Sequence, residues 1–214
     1  MKSLLAATLL FAFPATAASP EFAKGGAIVA LQYGYGLWGI DRAQLASQVG
    51  QADADLLAND TLNGHSATLR LGYNILGHAT PEATLTATGW NLTESNRGGA
   101  GFVTGGVHWH PIEIFMKGKE RFYDASLFFG LGYGIMGQNR GMDGFAWQYG
   151  VSTDFYVAKS IALGLFFRST QMGFSSFYLD YNNRSLPGAT LPLPNGSGGA
   201  FRQVGVTVTL RVAP

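Results

Sequence analysis

The sequence predicts an all-β chain folded as a transmembrane, eight-stranded, antiparallel up-and-down barrel. Three observations lead there. Only 13 % of the 214 residues are charged, while 30 are glycine and 13 % are aromatic; soluble proteins carry about 25 % charged residues and about 7 % glycine. Segment after segment alternates apolar and polar residues with period two, the strand signal. The apolar faces carry almost no charge, whereas a soluble sheet interrupts its exposed face with Lys and Glu. The opposite faces are Gly, Ser, Thr and Gln. An apolar outside around a polar inside is the membrane-barrel pattern, in which closure gives every backbone group a partner within lipid.

The elements follow in order. Lys2, the ten apolar residues Leu4–Phe13 and the small-x-small sequence Ala15-Thr16-Ala17 form a secretory signal peptide. Residues 1–17 are therefore expected to be removed, leaving 18–214 as the barrel. The first strand, in 27–38, sets Leu31, Tyr33 and Tyr35 against Gln32, Gly34 and Gly36. The second, in 66–75, sets Leu69, Leu71 and Tyr73 against Thr68, Arg70 and Asn74. Strands three and four, 83–94 and 100–116, alternate less cleanly, with breaks near Gly89 and Pro111. The fifth, 123–135, opposes Leu127 and Phe129 to Asp124 and Ser126, and the sixth, 145–157, opposes Trp147 and Tyr149 to Gln148 and Asp154. The seventh, 161–170, opposes Leu163 and Leu165 to Arg168; the last opposes Val206 and Val208 to Gln203, Thr207 and Arg211. Leu69, Leu71, Leu127, Phe129, Trp147, Tyr149, Leu163, Leu165, Val206 and Val208 are thus the expected lipid-facing residues. Tyr33, Tyr35, Trp109, Phe122, Tyr123, Phe155 and Tyr156 lie near strand ends, as interfacial girdles do.

Connections after strands two, four and six are short: 77–82 with Pro81, Lys117-Gly118-Lys119 and Ala158-Lys159-Ser160. Those after strands one and seven, about 40–64 and 181–199, are long and polar or rich in Gly and Pro. Outer-membrane barrels have short periplasmic turns and longer extracellular loops, which predicts the bacterial outer membrane with both termini periplasmic. The first long loop has the composition for a helical turn that folds over the barrel mouth, and equally for a mobile loop.

With these strands and the paired segments Tyr33-Gly34-Tyr35-Gly36-Leu37-Trp38-Gly39 and Leu131-Gly132-Tyr133-Gly134-Ile135-Met136-Gly137, the chain resembles the small outer-membrane β-barrel proteins of the OmpA/OmpX type. The resemblance is architectural and covers nearly all of 18–214. One departure is the ending Arg211-Val212-Ala213-Pro214, where such proteins usually finish on an aromatic residue.

The same two segments match the dinucleotide fingerprint G-x-G-x-x-G. That motif needs a strand to stop at the glycines, and here the outward series runs through them; inward glycines make room inside a narrow barrel. His108 and His110 share a strand face at a spacing metal ligands use, with Glu113 close along the chain, and the alternative is hydrogen bonding across strands. A lipid-modifying hydrolase would pair His with Ser on one face, whereas the adjacent His65 and Ser66 point to opposite faces. No catalytic residue, cofactor or metal is assigned. A net charge of +1 excludes electrostatic recruitment of nucleic acid.

Strand parity gathers Arg70, Asp124, Asp154, Arg168 and Arg211, with Gln148 and Gln203, into one lumen network. Arg70 and Asp154 are expected to meet, since an eight-stranded interior is just wide enough for side chains to fill and buried ions need partners. The functional expectation is a non-enzymatic surface protein. Its partners are outer-membrane lipid and envelope proteins reached through the loops or the periplasmic turns. The alternative is a narrow channel for ions or small solutes, hydrophobic ones included, with a lipid-modifying enzyme a distant third.

Overall fold

A computed structural model describes residues 25–57, 63–90, 98–115, 122–137, 140–180 and 188–212; the signal segment 1–17 lies outside them. Eight strands run β1 (Gly26–Ile40), β2 (Asn63–Asn74), β3 (Ala79–Trp90), β4 (Gly98–Trp109), β5 (Tyr123–Gly137), β6 (Gly141–Ala158), β7 (Ile161–Tyr178) and β8 (Thr190–Val212). Each pairs antiparallel with the next, and β8 closes on β1 over Ala27↔Val212 to Ile40↔Gly199. Closure leaves no sheet edge. Between β1 and β2 lie the helices α1 (Arg42–Val49) and α2 (Gln51–Leu57), and α3 (Pro111–Phe115) follows β4. Among the described residues no helix is long and apolar enough to cross a membrane; the strands are the crossing elements.

Several boundaries differ from the sequence expectation: β3 ends at Trp90, β6 already begins at Gly141 and β7 runs on to Tyr178, and three others have a local cause. Strand three begins at Ala79 and not at 83, because the reversal is made earlier, where His78 N–H donates to the Ile75 carbonyl at 3.0 Å. Leu76 (φ +50°) and Gly77 (φ +79°) occupy its centre, the double left-handed pattern of a two-residue hairpin. The Asn74 side-chain oxygen accepts from Gly77 N–H at 2.6 Å, which secures the strained Leu76. Pro81 is therefore a strand residue, and the register with β2 ends beside it at Gly72↔Glu82. Strand four stops at Trp109, because Pro111 opens a helix in place of the expected strand end at 116. The expected loop 181–199 shrinks from its far side, since β8 already pairs with β7 from Thr190↔Tyr178 after a register shift between Phe174 and Ser176. Residues 116–121, with the Lys117–Lys119 turn, lie outside the described residues, as do 58–62 of the first loop.

The outer surface is apolar. Leu71, Leu127, Phe129, Trp147, Tyr149, Leu165, Val206 and Val208 are 40–59 % exposed, and Leu69 and Leu163 are half-buried on the same face. In lipid such exposure is favourable, and a charge placed there is not. Leu165→Arg should destabilise the barrel by about 2–4 kcal/mol near the bilayer midplane, whereas Tyr35→Arg at the rim should cost about 0–1 kcal/mol. Urea unfolding in liposomes measures both, and equal penalties would contradict the placement.

Candidate functional site

The lumen is built in two halves. At the end carrying the tight turns it is polar and ionic. Glu82, brought to the inner face by the early start of β3, sits against Arg70: Nε donates to Oε2 at 2.9 Å and to Oε1 at 3.2 Å, and Nη2 donates to Oε2 at 2.8 Å. His108 Nε2 lies 3.2 Å from Glu82 Oε1, and its Nδ1 is hydrogen-bonded to Ser126 Oγ at 2.8 Å. Ser126 continues to Ser152 at 2.8 Å. A second chain joins Thr80 Oγ1 to His110 Nε2 at 2.9 Å and His110 Nδ1 to Asp124 Oδ2 at 2.6 Å. Every member of both chains is under 10 % exposed.

A belt of hydroxyls and one amide crosses the lumen above this ionic floor. Thr68 bonds Thr86, Thr84 bonds Thr104, Thr104 donates to Gln148 Oε1 at 3.1 Å, and Gln148 Nε2 donates to Thr170 at 3.0 Å. Thr104 is on β4 and Gln148 on β6, so the bond passes over β5. Gly132, the β5 partner of Thr104, makes that possible: a Cβ there would strike Thr104 and the Val103 carbonyl. The inward glycines are thus sites of close approach, filled by neighbouring side chains. Gly36 likewise lies beneath the Phe201 ring.

The other half of the lumen is apolar, which the alternation of small polar residues does not anticipate. Trp38, Trp90, Phe102, Met136, Met142, Met172, Phe174 and Phe201 are each 5 % exposed or less. Trp38 stacks on Phe201 at 4.7 Å and on Phe102 at 5.5 Å between centroids. Leu45 of α1 and Ala54 of α2 close the plug from above. Asp41 caps α1 by accepting from Gln44 N–H at 3.0 Å. Gln48 ties the helix to the wall, donating to the Gly196 carbonyl at 2.6 Å and accepting from Asn195 N–H at 3.3 Å. Arg140 pairs with Asp53 of α2 at 2.9 Å.

Arg70, Asp124, Asp154, Arg168, Gln148 and Gln203 all line the interior and are buried; Arg211 is half-buried. Their pairing differs from expectation. Arg70 takes Glu82, the carboxylate that the sequence places in a turn, and the direct contact of Asp154 is a 3.4 Å bond from Thr209. Asp154 faces Asp124 across β5 and β6, with Arg70 and Arg211 as its electrostatic counterweights. The Arg168 guanidinium lies 4.7 Å over the Phe128 ring and that of Arg211 5.3 Å over Tyr156, cation–π contacts that offset part of the desolvation. Extending the alternation Thr84, Thr86 two residues back would have placed Glu82 inside; neighbouring Pro81 hid it.

The hydroxyl–imidazole–carboxylate order of Thr80–His110–Asp124 is that of a nucleophile relay, but a nucleophile must meet its substrate, and these groups are sealed in the wall. Both nitrogens of His110 are hydrogen-bonded, His108 Nε2 stands beside Glu82 without hydrogen-bond geometry, and among the described residues no three His, Asp or Glu are grouped to hold a metal. The Glu113 side chain lies outside the described residues.

Among solved structures the chain is similar to Neisserial surface protein A (NspA), with a TM-score of 0.58 at 8 % identity over 87 % of this chain and 97 % of that one. This chain has the fold of the small outer-membrane β-barrels. The Yersinia pestis attachment invasion locus protein Ail matches with a TM-score of 0.49 at 10 % identity, over 87 % of this chain and 99 % of that one. The N-terminal barrel domain of Pseudomonas aeruginosa OprF gives 0.37 at 10 % identity, over 86 % and 98 %. No protein-family model matches the sequence, and no curated protein does. The small-barrel fold accounts for both the apolar outer band and the inward polar belt.

Proposed function

We propose that the chain is a non-enzymatic integral protein of the bacterial outer membrane, with a closed lumen and a loop end that contacts another surface or envelope component. In this reading residues 1–17 are the removed signal peptide. The turn end and both termini are periplasmic, and α1 and α2 face outward from the cell. The observation that carries it is the apolar plug, with Trp38, Phe102 and Phe201 buried in mutual contact and α1–α2 seated on top. A conduit would spend its interior on a path, whereas here the interior supports an ordered external platform. NspA, whose fold this chain shares, is a surface protein, which agrees with the reading.

The test combines conductance with cross-linking. Refolded protein in planar bilayers should show no steady current above background. A photo-crosslinker at exposed Ala52 on α2 should give discrete protein adducts in intact cells, and one at lipid-facing Phe129 should give none. A steady wild-type current would overturn the closed barrel in favour of the narrow channel, and identical adduct patterns at both positions would overturn the platform.

A further inference from the structure

Arg202 on β8 is, among the described strand residues, the one charged side chain exposed on the outer face. It stands opposite Leu37 of β1 and Ser169 of β7, directly above the column Val204, Val206, Val208. The structure records no ion pair for it among the described residues. Beneath it an open groove of about 470 Å³ crosses β8, β1, β2 and β3. Ala67 and Ala87, direct partners across β2 and β3, form its floor, with Leu31, Leu85, Val206 and Val208 among its walls. His65, two strands from Arg202, is exposed at the same rim; its Nδ1 is hydrogen-bonded to the Tyr33 hydroxyl at 2.8 Å, and Tyr35 meets its ring edge-on.

From this we infer a binding site for one anionic, phosphorylated membrane lipid, its phosphate on Arg202 and an acyl chain in the Ala67/Ala87 groove. The inference rests on the proposed membrane placement, in which the loop end lies at the outer headgroup layer. The chemistry is complementary at both levels. A guanidinium presents a planar fork of donors that suits a phosphate, and it stands where lipid headgroups replace hydrocarbon. Two alanines between larger residues leave a trough on the outer face, where a chain gains contacts that a bulk acyl chain would not. His65, held by Tyr33, supplies a second polar group at the same rim.

Native mass spectrometry of the intact barrel, released from detergent after exchange with defined lipids, tests the site. Phosphatidylglycerol is the anionic probe and phosphatidylcholine the zwitterionic one. Wild type should retain one phosphatidylglycerol in preference to phosphatidylcholine. Arg202→Gln should lose that preference, and Ala87→Phe, which fills the trough from the lipid side, should lose the retained lipid while leaving the barrel folded by circular dichroism. Equal retention of both lipids by wild type, or unchanged retention in both variants, would mean ordinary annular lipid and overturn the site. Because a steady bilayer current bears on the lumen alone, failure of the closed-barrel reading and failure of this site are separately visible.

Discussion

Glu82→Ala should be among the most damaging single substitutions in the barrel, lowering stability by about 3–5 kcal/mol, the range for removing one partner of a buried ion pair. Arg70 would lose all three of its bonds to that carboxylate and His108 its acidic neighbour. A guanidinium cannot shed its charge, so the vacancy must fill with water or distort the wall. Asp154→Ala should cost clearly less, because its one direct hydrogen bond among the described residues is a long one from Thr209. Combining Glu82→Ala with Arg70→Ala should return part of the loss, as expected for two residues in direct contact. Urea titration in liposomes, followed by tryptophan fluorescence, gives all three values. If Asp154→Ala proves as costly as Glu82→Ala, the pairing described here is wrong.

Trp38→Ala should remove a comparable amount, about 3–5 kcal/mol for a large buried aromatic. Its ring is 5 % exposed and packs on Phe201, Phe102 and Trp90, so no neighbour can fill the gap without breaking another stack. Phe129→Ala, on the lipid side, serves as the control and should cost much less, since bilayer chains move in where the ring was. Bilayer current should stay at background in Trp38→Ala: the new cavity is lined by apolar groups and stays dry, and the hydroxyl belt still spans the lumen below it. A current that appears in this variant would show the plug to be the sole seal.

The architecture was open to reading from sequence because a membrane barrel writes its fold in local alternation: each strand states its own two faces. Leu127 and Phe129 against Asp124 and Ser126 needs no knowledge of any other segment. Partnership is different. Which carboxylate meets Arg70 depends on where the chain reverses, and Pro81 suggested a turn that Leu76 and Gly77 in fact make. A shift of four residues in the start of β3 brought Glu82 into the wall and displaced Asp154 as the expected partner. The apolar half of the lumen was hidden for a related reason. Trp38, Phe102 and Phe201 obey the inward parity, but each stands at a strand end or beyond the clean alternation, where an aromatic looks like a girdle residue.

The unequal strands have a mechanical consequence. A tilted strand crosses the hydrocarbon in ~9–11 residues; β8 has 23, β6 and β7 have 18 each, while β2, β3 and β4 have 12 each. More than half of β8 is therefore in excess of one hydrocarbon crossing, and the rim is tall on one flank and low on the other. Since α1 is tethered through Gln48 to Asn195 and Gly196 on that tall flank, the elevation of the platform is metered by the length of a strand. Thinning or thickening of the membrane shifts the waterline along the barrel, and the platform keeps its geometry.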